Sequence, residues 1–352
     1  MTKTYLDWNV ISQMKNGNHA ELSNILFGNH KFYIPFSTSH IADILSGLKK
    51  TAEQYEIIKS DLEYLSQLTK DICVYNNGNN IVIDYYSPIE MFQQSAKDKD
   101  TFDDISLNGL IATLNSNDVT NGLGSSILDS IRDIPIEACF LEAFSNPQTA
   151  AQMELLFPGL KENPTMEGFF ESFSKMNKGL NEEDTYKDLR GVVQSGLNIN
   201  RDKIYNSNRP FESIDQAYRK TGFIRQVNLD NAKYAPQWFN EISDEFLHLD
   251  MHGYQEDRIN TQKGRNETFR NTCEDAFHAE FASTCHFYIT SDKKGYNKCK
   301  QVYDKLNINT LVLKPDEFVE YYKKKIIGND SSLDLGLPSV ILEMWQSLSD
   351  NR

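Results

Sequence analysis

Lys3-Thr4-Tyr5-Leu6-Asp7-Trp8-Asn9-Val10-Ile11-Ser12, near the start of the 352-residue chain, is the stretch from which the fold is read. Thr4 to Leu6 is a short β-prone run that delivers a carboxylate at Asp7 and an amide at Asn9. The chain then turns polar and enters a helix. In a parallel α/β sheet, ligands bind in the crevice at the carboxyl ends of the strands. Asp7 therefore has two readings, a site carboxylate or a side-chain cap of the following helix. This stretch alone leaves both open.

The segment from Asn271 to Lys294, NTCEDAFHAEFASTCHFYITSDKK, supplies more of the pattern. Thr272 to Thr284 is helical in character. Asp275 shares a face with Ala279 and Ala282 at i+4 and i+7, and Ala276 is also small. One acid among alanines fits a helix lying close against a sheet with its carboxylate aimed past the sheet edge. His278, at i+3 from Asp275, reads either as a packed helix histidine or as a neighbour of a metal. His286 to Thr290 is a β-rich run, and it ends in Ser291-Asp292.

A further strand is expected over Lys31-Phe32-Tyr33-Ile34-Pro35-Phe36. Ser37-Thr38-Ser39 follow as helix N-caps, and Asp43 falls in the first or second turn of that helix. Two strand ends and two helices thus supply Asp7, Asp43, Asp275 and Asp292.

The order of these four motifs resembles the PIN domain, a family consisting mainly of metal-dependent nucleases that act mostly on RNA. The resemblance covers about residues 1–70 and 261–327. It implies an α/β fold, a PIN-like parallel-sheet sandwich with helices on both faces, and cleavage that leaves a 5′-phosphate and a 3′-hydroxyl. Two departures stand out. The second acid is Asp43 where the family usually has Glu, and the interval between the second and third acids is very long.

Composition sets outer bounds. With 39% hydrophobic and 11% aromatic residues the chain reads as globular. There is no run of 18 apolar residues and no basic-then-apolar leader, so a cytoplasmic protein without a membrane span is expected. Five scattered cysteines form no close Cys-x-x-Cys pair, which points to reduced thiols rather than a disulfide scaffold or zinc. The net charge of -14 opposes phosphate binding. It is concentrated, however: residues 71–260 hold 30 acids and 16 bases, and the other 162 residues hold 20 of each.

Residues 1–70 with 261–327 therefore read as a discontinuous core, 71–260 as a mainly helical acidic insertion, and 328–352 as a linker with a C-terminal amphipathic helix. Thr51 to Lys70 carries a helical stripe at 55, 57, 58, 62, 65 and 68. Ile72 to Tyr75 and Ile81 to Tyr85 read as a hairpin or strand pair, with Asp84 a further acid of surface character. Phe102, Ile105, Leu107, Leu110, Ile111 and Leu114 predict one helix of the insertion. Phe169, Phe170, Phe173 and Met176 predict a core stripe in another. His248 and His252 share a helix face as zinc pairs do, but no Glu stands where such motifs need it.

Four carboxylates suit in-line phosphodiester hydrolysis, because hard Mg²⁺ or Mn²⁺ ions prefer oxygen ligands and relieve charge on the leaving oxygen. Asp7 and Asp292 are expected as direct ligands. Asp275 would bind directly or through water, and Asp43 through water or by positioning the nucleophile. Asn9 and Thr290 are expected to hold neighbouring carboxylates. Lys293, Lys294 and Lys298, with Lys300, crowd one segment after Asp292. Arg258, Lys263, Arg265 and Arg270 lead into the Asp275 helix. Lys293, Lys294, Lys298 and Arg270 are the candidate contacts to substrate, and Tyr218 is a weaker candidate for base stacking. The leading expectation is a metal-dependent endoribonuclease acting on RNA, or on single-stranded DNA. An alternative is a PIN-like scaffold that binds RNA or, on its acidic insertion, a basic protein partner. A third, a haloacid-dehalogenase-like phosphatase with Asp7 as nucleophile, wants an acid where Asn9 stands.

Overall fold

A computed structural model of the chain describes residues 2–28, 32–47, 51–78, 80–102, 132–147, 149–182, 184–223, 225, 235–257, 269–326 and 337–350. The helix expected through Ile105 to Leu114 lies outside these residues, as do Arg258, Lys263 and Arg265.

The architecture is α/β, built on a four-stranded parallel sheet with the order β2-β1-β6-β7. Strand β1 (Thr2–Leu6) is central, flanked by β2 (Phe32–Tyr33) and β6 (Phe287–Ile289), and β7 (Leu311–Leu313) follows β6. Thr4, Tyr5 and Leu6 are buried in succession, as are Phe287, Tyr288 and Ile289. Such continuous burial is expected of inner strands of a parallel sheet, whose two faces are both covered. The register pairs Leu6 with Ile289 and Ile289 with Leu313. Asp7, Thr290 and Asp292 therefore leave the sheet at one carboxyl edge.

The run from Lys31 to Phe36, expected as one strand, is broken by Pro35. A proline has no N–H to give a ladder. The chain pairs as β2 before it and as β3 (Phe36–Ser37) after it. Strand β3 then joins a second sheet, parallel to β4 (Ile72–Asn76), while β5 (Ile81–Tyr85) closes the antiparallel hairpin. The break delivers the chain directly into the Thr38–Ser46 helix, capped by Ser37.

Two compact units are present. The first comprises Met1–Ser95, Arg225–Asp250 and Cys273–Arg352, and the second Ala96–Ile224 with Met251–Thr272. The limits read at 70 and 261 accordingly shift. The β4–β5 hairpin and Arg225–Asp250 cluster with the first unit, because their apolar faces are buried there. In the Ala52–Thr69 helix, Ile58, Leu62, Leu65 and Leu68 are buried, while Tyr55 and Ile57 remain exposed. The C-terminal helix Ser339–Asp350 belongs to the same unit, where Trp345 Nε1 donates to the Thr284 carbonyl at 2.9 Å. In the second unit, Phe140, Phe157 and Phe169 pack ring to ring, with centroids 5.1 and 5.9 Å apart. His252 Nε2 lies 2.9 Å from the Tyr218 hydroxyl, which occupies both side chains. No helix among the described residues is long and apolar enough to cross a membrane.

Candidate metal centre

Asp7 occupies the N-cap position of the Trp8–Lys15 helix, but its side chain makes no capping bond. It turns instead to the neighbouring strand. Its Oδ2 accepts from Thr290 Oγ1 at 2.6 Å, Asn9 Nδ2 at 2.8 Å and, more weakly, Tyr288 OH at 3.4 Å. Asn9 is fixed in turn, its Oδ1 accepting the Ser291 N–H at 3.1 Å. Among the described residues no donor reaches Asp7 Oδ1, although the residue is only 6% exposed. The carboxylate thus has one oxygen held by three protein donors and the other available to solvent or to a cation.

Asp43 projects from the Thr38–Ser46 helix, and its Oδ2 accepts from His278 Nε2 at 2.9 Å. One ligand atom from each of Asp7, Asp43 and His278 lies within 4.8 Å of the other two. No other group of this kind occurs among the described residues. Asp292 stands on the adjacent strand end. Its N–H donates to Thr290 Oγ1 at 3.0 Å, and its Oδ2 caps the Lys293–Leu306 helix at the Gly295 N–H. A Cβ on Gly295 would lie 2.8 Å from that oxygen, so a larger residue there would push the capping carboxylate aside. Thr290 thus bridges the two strand-end aspartates with one hydroxyl. Asp275 is half-buried one helical turn before His278 and is not part of the 4.8 Å group. Neither is Asp292.

His278 is held from behind by Tyr5, Ser37 and His40, none of which the sequence marked as part of a site. Its Nδ1 lies 2.8 Å from Tyr5 OH, which lies 2.6 Å from Ser37 Oγ, itself 3.2 Å from His40 Nδ1. His40 Nε2 donates to the Leu6 carbonyl at 2.8 Å, so its Nδ1 is free to accept the Ser37 N–H at 2.9 Å. Asp7 follows the end of β1 with its backbone still extended, two residues after Tyr5, so the two side chains point to the same side. His40 stands three residues after the Ser37 cap, at the capping-box position. Both spacings are visible in the sequence, but neither names its partner.

The electrostatics follow from this crowding. Burial raises the Asp7 carboxyl above its usual range; His278 and the Thr290 hydroxyl pull it down, while Asp43 and Asp292 push it further up. For His278 burial acts downward, but the Asp43 hydrogen bond and charge, with Asp7 and Asp275 behind it, win and set it at about 9. Burial and the His278 charge hold His40 well below the ordinary histidine value. Without another cation, His278 is the positive charge that compensates these aspartates.

No family model, curated protein or solved structure matches this chain.

The basic residues divide. Lys293 is exposed and Lys294 half-buried, both in the first turn after Asp292. Lys298 is not a substrate contact. It is fully buried, with Nζ 2.9 Å from Asp250 Oδ1 and 4.8 Å from the Phe246 ring centroid. Its helical position turns it away from the exposed face that carries Lys293 and Lys300. Arg270 is exposed in the first turn of the Phe269–Ala282 helix, within the second unit.

Proposed function

We propose that the chain is a metal-dependent phosphodiesterase of PIN-like architecture that cleaves RNA internally. The observation that carries this reading is the gathering of Asp7, a buried carboxylate whose Oδ2 is held by Thr290 and Asn9, with Asp43 and His278, one ligand atom of each within 4.8 Å of the others. Asp7, Asp43 and Asp292 each have one oxygen engaged and, among the described residues, one without a donor. Such a set offers oxygen ligands to Mg²⁺ or Mn²⁺.

When bound, a divalent ion there would activate water and relieve charge on the leaving oxygen of a phosphodiester. The chain's own residues do the rest. Thr290 and Asn9 keep the Asp7 carboxylate in one orientation, and Ser291 keeps Asn9 in place. His278 holds Asp43 toward Asp7. Lys293, exposed beside Asp292, supplies positive charge for the phosphate backbone. Asn9, at the position where a phosphatase with an Asp7 nucleophile would want an acid, gives its amide to Asp7 instead.

The test is Mn²⁺-dependent cleavage of a panel of structured and unstructured RNAs and single-stranded DNAs. Asp7→Asn is expected to abolish cleavage while leaving the circular dichroism spectrum intact. A wild-type chain that binds RNA and cuts none of the panel overturns the nuclease reading in favour of a binding scaffold.

A further inference from the structure

We infer that His278 is itself a metal ligand, so that Asp7, Asp43 and His278 form a mixed oxygen–nitrogen site for a first-row transition ion in preference to Mg²⁺. This deepens the nuclease reading by naming the cofactor class, and it changes the ligand set read from the sequence, which was wholly carboxylate.

Three observations carry it. The first is the 2.9 Å separation of His278 Nε2 and Asp43 Oδ2. Two ligands at right angles, each about 2.1 Å from one ion, stand about 3.0 Å apart. The hydrogen bond thus already has the length of a coordination edge, and an ion taking the place of the proton would need the two groups to re-aim rather than to separate. The second is Asp7, only 6% exposed, one of whose carboxylate oxygens lies within 4.8 Å of a ligand atom of Asp43 and of His278. The third lies behind the imidazole. A ligating histidine ordinarily engages its other ring nitrogen in a hydrogen bond, which fixes tautomer and ring orientation. His278 Nδ1 has this in Tyr5 OH at 2.8 Å, backed by Ser37 Oγ at 2.6 Å from that hydroxyl. The ring is 1% exposed and edge-on to both Tyr5 and His40, at 5.8 and 4.9 Å between centroids, so it is fixed before any ion arrives.

Imidazole nitrogen suits zinc, copper, iron and nickel, whereas Mg²⁺ demands oxygen and keeps several waters. A nitrogen in this position tilts the site from Mg²⁺ toward the first-row transition ions, among which Mn²⁺ serves as the paramagnetic probe.

The experiment is pulsed electron paramagnetic resonance of Mn²⁺ bound to the full chain, prepared with natural-abundance and with ¹⁵N-labelled histidine. The expected result is a directly bound nitrogen whose coupling changes with the label and disappears in His278→Gln. That variant should also bind Mn²⁺ about tenfold or more weakly, with a much smaller change for Mg²⁺. Mn²⁺ that binds the wild type, is lost in Asp7→Asn and shows no histidine nitrogen overturns the inference, leaving His278 as a residue that only orients Asp43. So does unchanged Mn²⁺ affinity in His278→Gln, or no Mn²⁺ binding by the wild type. Nitrogen coupling in a chain that cuts no nucleic acid upholds the inference and sinks the nuclease reading, so the two fail separately.

Discussion

Thr290→Val tests the architecture of the site most directly. The Thr290 side chain is fully buried, and valine matches its shape, so the substitution removes a hydroxyl and little else. Two bonds are lost: the 2.6 Å donation to Asp7 Oδ2 and the 3.0 Å acceptance of the Asp292 N–H. A hydrogen bond to a charged acceptor contributes about 1.5–3 kcal/mol, and about 1.4 kcal/mol is a factor of ten in an equilibrium. If Asp7 is oriented by this bond, Mn²⁺ affinity should fall by roughly 10- to 100-fold, in the range known for residues that support metal ligands. The sign for pH follows from the same bond. The Thr290 hydroxyl favours ionised Asp7, so removing it raises the carboxyl further and moves the acid limb of cleavage to higher pH. Thr290→Ser keeps the hydroxyl and should stay near wild type. Isothermal titration with Mn²⁺ and a pH–rate profile on one RNA substrate measure both effects. Wild-type Mn²⁺ affinity in Thr290→Val would refute the claim that this hydroxyl sets the geometry of Asp7.

Other outcomes follow from particular contacts. Lys298→Met breaks the fully buried ion pair with Asp250 and should destabilise the first unit by about 3–5 kcal/mol, whereas Lys293→Met should be neutral in the same melts. Lys293→Ala should instead weaken RNA binding evenly across sequences and reduce the slope of log affinity against log salt by about one; an unchanged slope removes Lys293 from the interface. Glu280 is buried, and desolvation lifts its carboxyl to about 8 against Ser243 hydrogen bonds that pull it down. The unfolded chain ionises near pH 4.5 and the folded chain only near 8, so this group removes stability as pH rises between those values and exerts a constant penalty above them. Glu280→Gln should abolish that loss, on the order of a few kcal/mol by pH 8, and a thermal midpoint with the same pH dependence in both proteins would refute it.

The local pieces of the site were legible in the sequence because they depend on short-range order. Tyr5-Leu6-Asp7 and Tyr288-Ile289-Thr290-Ser291-Asp292 each show an apolar run that must be buried, ended by an acid. Ser37 ahead of a helical stripe announces its cap, and the alanines at 276, 279 and 282, all fully buried, announce close packing. Those signals bring Asp7 and Asp292 to one sheet edge once β1 and β6 are neighbours. Residue type did not separate Lys293 from Lys298, since four lysines in eight residues look alike until helical phase turns one inward to Asp250. Pro35 was visible, yet its consequence, a strand divided between two sheets, depends on which partners lie on either side.

The sequence alone therefore determined which residues are strand-ending acids and which helices carry small faces, because hydrophobic periodicity and capping are set within a few positions of each residue. Only the tertiary structure decided that Asp7 turns from its own helix to Thr290, and that Asp43 meets His278 across 235 positions. It also placed Tyr5, Ser37 and His40 behind that imidazole. Hydrogen bonds between distant segments are fixed by strand order and register, and no local pattern of residues records which segments those will be.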